Sequence, residues 1–102
     1  MPTREQLDKL LAAEPDDVFL NFGLAMELSK EASKAPALKQ FARIIELDAD
    51  YTAAYYQQGR LLLGLGDREQ ARQVLTAGVE ATKRTGDAHA QSEMQELLDQ
   101  AC

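Results

Sequence analysis

A chain of 102 residues, 45% hydrophobic and 27% charged, is long enough to bury a real core and reads as one globular domain with no disordered block. Eleven basic against 17 acidic residues leave a net charge of -6, so the averaged field repels phosphate backbones and anionic lipid surfaces, which disfavours nucleic acid and membrane as partners. Cys102 is the single cysteine, which excludes an intrachain disulfide and a cysteine-rich zinc site. No apolar stretch approaches the length of a signal peptide or membrane span, and a cytoplasmic location is the expectation.

In chain order, Thr3 and Gln6 have the spacing of a capping box ahead of Leu7, Leu10 and Leu11 on one helical face, and Pro15 stops that helix. Asp16 or Asp17 caps a second helix through Val18–Lys30, apolar on nearly every side, with Phe19, Phe22 and Met26 expected inward. Ser33 is the expected cap of a third helix over 34–47, which tolerates Pro36 in its first turn and buries Ala37, Phe41, Ile44 and Ile45. Asp50 is expected to start a fourth helix, with Tyr55, Gly59 and Leu62 inward, ending at Gly64-Leu65-Gly66. Asp67 with Gln70 starts a fifth, burying Ala71, Leu75 and Val79, and Gly86 ends it. Asp87 caps a sixth, whose Ala90, Met94, Leu97, Leu98 and Ala101 face inward and whose other side is polar, as suits a terminal helix facing water. No run alternates as a strand would.

These helices repeat. Leu7, Phe41 and Leu75 recur at equal intervals, a 34-residue period; Leu10 stands with Ile44 and Gly78, Leu11 with Ile45 and Val79, and Ala37 with Ala71 in the same register. A period of this size marks units that bury their apolar faces only against neighbours. The pattern resembles the tetratricopeptide repeat: an aromatic, Leu-Gly and Tyr in one helix, then Ala and a later Phe in the next. The first copy offers Phe19, Phe22-Gly23, Met26, Ala37 and Phe41; the second offers Tyr55, Gln58-Gly59, Leu62, Gly66-Asp67, Ala71 and Leu75. Gly23 and Gly59 are then expected to let the helices of each pair approach, with Ala37 and Ala71 opposite. In this register the interval from Gly23 to Gly59 exceeds the period by two, which places two extra residues in the Ser29–Pro36 region.

The resemblance implies an all-α, right-handed superhelix of about six helices. Two full repeats, 16–49 and 50–84, are flanked by an N-terminal half-repeat helix over 3–14 and a C-terminal capping helix over 86–101.

Little in the chain suggests catalysis. His89, the only histidine, has Asp87 and Glu93 nearby, but two or three scattered ligands make a poor metal site. Cys102 has no ordered base within reach, no serine lies in a glycine-flanked elbow, and Gly64 and Gly66 lack the lysine of a phosphate loop. The expectation is no enzyme, no cofactor and no metal.

A binding surface is the better-supported expectation. In arrays of the resembled family the first helix of each pair lines a concave groove. Mapped here, that face carries Asp17, Leu20, Asn21, Leu24, Glu27 and Leu28, then Ala53, Tyr56, Gln57, Arg60 and Leu63. Leu20, Leu24 and Leu28 are four apart and form an apolar stripe that Tyr56 and Leu63 extend. Asn21 and Gln57 are expected to serve a partner's backbone, and Arg60 one acidic group. Part of the family grips the C-terminal carboxylates of chaperones through Lys, Asn and Arg; Leu20 and Leu24 stand where Lys and Asn would be needed. The leading expectation is a non-catalytic module binding a peptide or helix of a protein partner. The alternative is homo-oligomerisation through the same stripe or the N-terminal helix, including a homodimer.

Overall fold

The computed structural model describes residues 2–102, which form six α-helices and, among the described residues, no strand. They are α1 (Arg4–Ala13), α2 (Val18–Leu28), α3 (Ala35–Leu47), α4 (Thr52–Gly64), α5 (Arg68–Thr85) and α6 (Ala88–Ala101). The chain falls into two compact units, one ending at Asp48 and carrying α1 to α3, the other spanning Ala49–Cys102 and carrying α4 to α6.

Most helix ends follow from short polar side chains. Thr3 and Gln6 form the capping box, with Gln6 N donating to Thr3 Oγ1 at 3.2 Å and Thr3 N to Gln6 Oε1 at 2.8 Å. Asp17, Asp67 and Asp87 accept from the backbone N–H of Leu20, Gln70 and Ala90 at 2.9, 3.2 and 3.0 Å. Gly66 and Gly86 take the left-handed conformation, with φ of 81° and 74°. The next residues reach back, Asp67 N to Leu62 O and Asp87 N to Thr82 O, both at 3.0 Å, and so satisfy the last carbonyls of α4 and α5.

Two caps differ from expectation. Ser33 does not cap α3; the helix starts after Lys34, which offers no side-chain cap bond. Lys34 Nζ instead donates to Ser29 O and Glu31 O, both at 2.7 Å, and secures the turn between α2 and α3. Asp50 does not cap α4, whose N-cap is Tyr51. Its carboxylate is held by Arg84 on α5, and that hydrogen bond raises the guanidinium above its ordinary range.

In the first unit Phe41 and Ile44 are fully buried, Leu7, Ala25 and Ala37 are buried too, and the Phe22 and Phe41 rings meet edge to face at 5.9 Å and 61°. In the second unit a Cβ on Gly59 would stand 2.3 Å from Leu75 Cδ2, so the glycine is what lets α4 and α5 close together. Gly78 does the same at a three-way junction: its Cβ would meet Met94 Sδ on α6 at 2.3 Å and Tyr55 Cβ on α4 at 2.7 Å. Ala71, Leu75, Ala81 and Thr82 complete that core.

The burial pattern corrects the register of the first repeat. The buried residues of α2 are Asn21, Ala25 and Leu28, each one full period before buried Tyr55, Gly59 and Leu62. The period is therefore unbroken across both pairs, and the first pair has no inserted residues. Ala25, not Gly23, is the counterpart of Gly59. Gly23 faces α1, where its Cβ would lie 3.2 Å from Leu7 Cδ2. Phe19, expected inward, is 75% exposed.

The same correspondence explains a buried asparagine in an aromatic column. Tyr55 Oη donates to Ala49 O at 2.7 Å, and Asn21 Nδ2 donates to Pro15 O at 2.9 Å and to Asp17 O at 2.8 Å. Pro15 and Ala49 are again one period apart. An arginine from the second helix of each pair joins in: Arg43 Nη2 reaches Pro15 O at 3.3 Å and Asp16 Oδ1 at 2.7 Å, and Arg84 reaches Ala49 O at 3.1 Å and Asp50 Oδ1 at 2.8 Å. Gln40 on α3 donates to the remaining Asn21 oxygen, so its whole amide is used.

Replacing Phe41, which has no solvent exposure, with Ala is expected to cost about 3–5 kcal/mol in urea denaturation. Gly78→Ala separates packing from propensity. Propensity alone predicts a gain of about 1 kcal/mol in mid-helix, whereas collision with the Tyr55 stem predicts a loss of about 1–3 kcal/mol. A loss is expected, and a raised denaturation midpoint would refute the three-way junction.

Candidate protein-interaction surface

Once core residues are removed, each first helix presents one remaining face. On α4 it consists of exposed Ala53 and Arg60 with half-buried Tyr56, Gln57 and Leu63. The Arg60 guanidinium lies over the Tyr56 ring, 6.0 Å from its centroid, and Nη1 reaches Gln57 Oε1 at 3.5 Å. These contacts join an aromatic plate and a cation on one surface, the composition common at binding hot spots.

On α2 the equivalent positions, one period earlier, are Phe19, Phe22, Gly23, Met26 and Ser29. Phe19 is largely exposed, Phe22 and Met26 are half-buried, and Ser29 Oγ donates to Met26 O at 2.6 Å. Sequence reasoning missed this row because the aromatic pair and glycine match the inward motif of the resembled repeat. The unbroken interval from Asn21 to Tyr55 was the signal that could have found it.

The stripe expected on α2 lies differently. Asn21 and Leu28 are buried, and Asn21 spends its amide within its own unit. Leu20 and Leu24 are half-buried on the flank of the helix. Glu27 is half-buried and pairs with Lys30 at 3.1 Å. Of the expected contact residues, Tyr56, Gln57, Arg60 and Leu63 share one face of α4.

A cavity of about 270 Å³ opens beside Tyr56, between the start of α4 and the start of α6. His89 and Glu93 are on its rim, with His89 Nε2 2.8 Å from Glu93 Oε1. Neither residue was among the expected contacts, since α6 has the sequence pattern of a cap. Among the described residues no group of three or more His, Cys, Asp or Glu side chains could hold a metal ion, and no helix is long and apolar enough to cross a membrane.

No family model matches the sequence. A TPR repeat-containing protein of Pseudomonas aeruginosa is 31% identical over 94 residues, which cover 92% of this chain and 90% of that protein. The solution structure of a tetratricopeptide repeat domain protein from Salinibacter ruber is 31% identical, with a TM-score of 0.78 over 85% of this chain and 88% of that one. The solution structure of a protein from Bordetella parapertussis is 29% identical, with a TM-score of 0.83 over 99% of this chain and 88% of that one. Helix pairs at an unbroken 34-residue period, joined to this similarity along nearly the whole length of both chains, show that the chain belongs to the tetratricopeptide repeat family.

Proposed function

We propose that this chain is a non-catalytic protein-interaction module, each of whose two units offers a protein partner the outward face of its own first helix. Phe19, Phe22 and Met26 serve on α2, and Tyr56, Gln57, Arg60 and Leu63 on α4, with Leu20 and Leu24 as flanking apolar surface. The family supports protein–protein interaction in general. The observation that carries the finer reading is Phe19, a large apolar side chain 75% exposed at the position equivalent to Ala53, in the same repeat row as Tyr56. A large exposed aromatic that the core does not use is a usual anchor of an interface. Arg60 suits an acidic group of the partner, and the Gln57 amide suits its backbone.

A second reading, association between copies of the chain through α1, has one observation in its favour. Leu10 is 46% exposed, whereas its counterpart in the next repeat, Ile44, is fully buried. Light scattering at tens of micromolar decides it, because a monomer at that concentration removes the reading.

The leading proposal is tested by capture from native lysate with the Phe19→Ser, Tyr56→Ser double variant. Truncating two aromatic anchors is expected to weaken the partner by at least about 2 kcal/mol, roughly 30-fold, while circular dichroism shows unchanged helicity. An unchanged set of captured proteins would reject the assignment of these faces.

A further inference from the structure

We propose that the cavity between α4 and α6 receives one lysine or arginine side chain of the bound segment. Its alkyl stem lies against Ala53, Tyr56 and Ala90, and its cationic head meets Glu93 and Asp87. This rests on the reading of α4 as a contact helix and deepens it by naming the chemistry of one partner residue.

Size comes first. The cavity, about 270 Å³ and open to solvent, has room for a single long side chain. The lining comes second: Ala53, Tyr56, Ala90 and Met94 provide an apolar wall, which suits an amphipathic side chain with a methylene stem. Charge comes third. The ionisable residues lining the cavity include Asp87, His89 and Glu93, with no lysine or arginine among them. An acidic rim over an apolar wall complements a cation on an alkyl chain and repels an acidic residue.

Existing contacts hold both carboxylates on α6. Asp87 is fixed at the start of α6 by accepting from Ala90 N, and Glu93 is steered by His89, whose imidazole carries charge only when protonated. Arg60, the cation over the Tyr56 ring, lies outside the cavity lining. The two charges on the partner are thereby ordered, a basic residue at the α6 end of α4 and an acidic one toward Arg60.

The test is an NMR titration of the full ¹⁵N-labelled chain with Nα-acetyl-lysine N-methylamide and, in parallel, its norleucine analogue, which keeps the alkyl stem and lacks the ammonium. Saturating shifts at the amides of Ala53, Tyr56, Ala90 and Glu93 with the lysine probe are expected. Affinity is expected to be about fivefold weaker for norleucine and about fivefold weaker for the lysine probe with the Glu93→Gln variant, the upper range for a partly exposed ion pair. Glu93 is half-exposed, so the variant keeps the fold, which its unperturbed spectrum verifies. Equal binding of the two probes, an unchanged affinity in Glu93→Gln, or no shifts at these amides would overturn the inference. Such a failure leaves the partner-capture result of Phe19→Ser, Tyr56→Ser unaffected, so the two readings fail separately.

Discussion

Everything in the second unit depends on how closely α4 and α5 approach at Gly59. The backbone there sits so near Leu75 that even a methyl group would collide, and this closeness leaves Leu75, Ala71 and Leu62 with little or no solvent exposure. In the first unit Ala25 and Phe41 occupy the same columns, a slightly larger small residue against a larger apolar one. The spacing between helices in each pair is thus set by a small residue, and the large residue opposite fills what remains. A pair packed this way leaves the other face of its first helix largely outside the core, with Phe22 reaching partly into it, which is how a packing rule for the interior produces a second face on each first helix.

The polar ties at the helix starts are the second constraint. A carbonyl just ahead of each first helix, Pro15 O or Ala49 O, accepts both from a side chain of that helix and from an arginine of the following one. These bonds orient the chain entering the pair, and they let an asparagine and a tyrosine fill one structural position. What the column requires is a donor of sufficient reach, with aromatic bulk optional: where Asn21 provides less volume, Phe22 leans on Phe41 from the neighbouring position.

Much of this was legible in the sequence. The six helices, the aspartate caps at Asp67 and Asp87, the glycine stops and the inward set Ala71, Leu75 and Val79 all followed from periodicity and capping chemistry. The register of α2 was not, for a physical reason. Its helix is apolar almost all round, so hydrophobicity carries no phase, and the only polar residue that marks the inner face is Asn21, which looks solvent-seeking until its hydrogen bonds are seen. The surface row on α4 was readable because Gln57 and Arg60 break its apolar pattern, while its counterpart on α2 is apolar and has the composition of a core. The part α6 plays beside Tyr56 was illegible, because two residues distant in the chain share a cavity only once the fold brings them together.

The turn at Gly66-Asp67 has a consequence for how the chain comes into being. Only Leu65, Gly66 and Asp67 separate α4 from α5, so Gly59 and Leu75, whose contact fixes that pair, are near neighbours along the chain. Closing so short a loop sacrifices little chain entropy. Topologies dominated by such local contacts fold within microseconds to milliseconds. The α4–α5 hairpin can therefore form early in folding, from contacts that wait for no distant part of the chain.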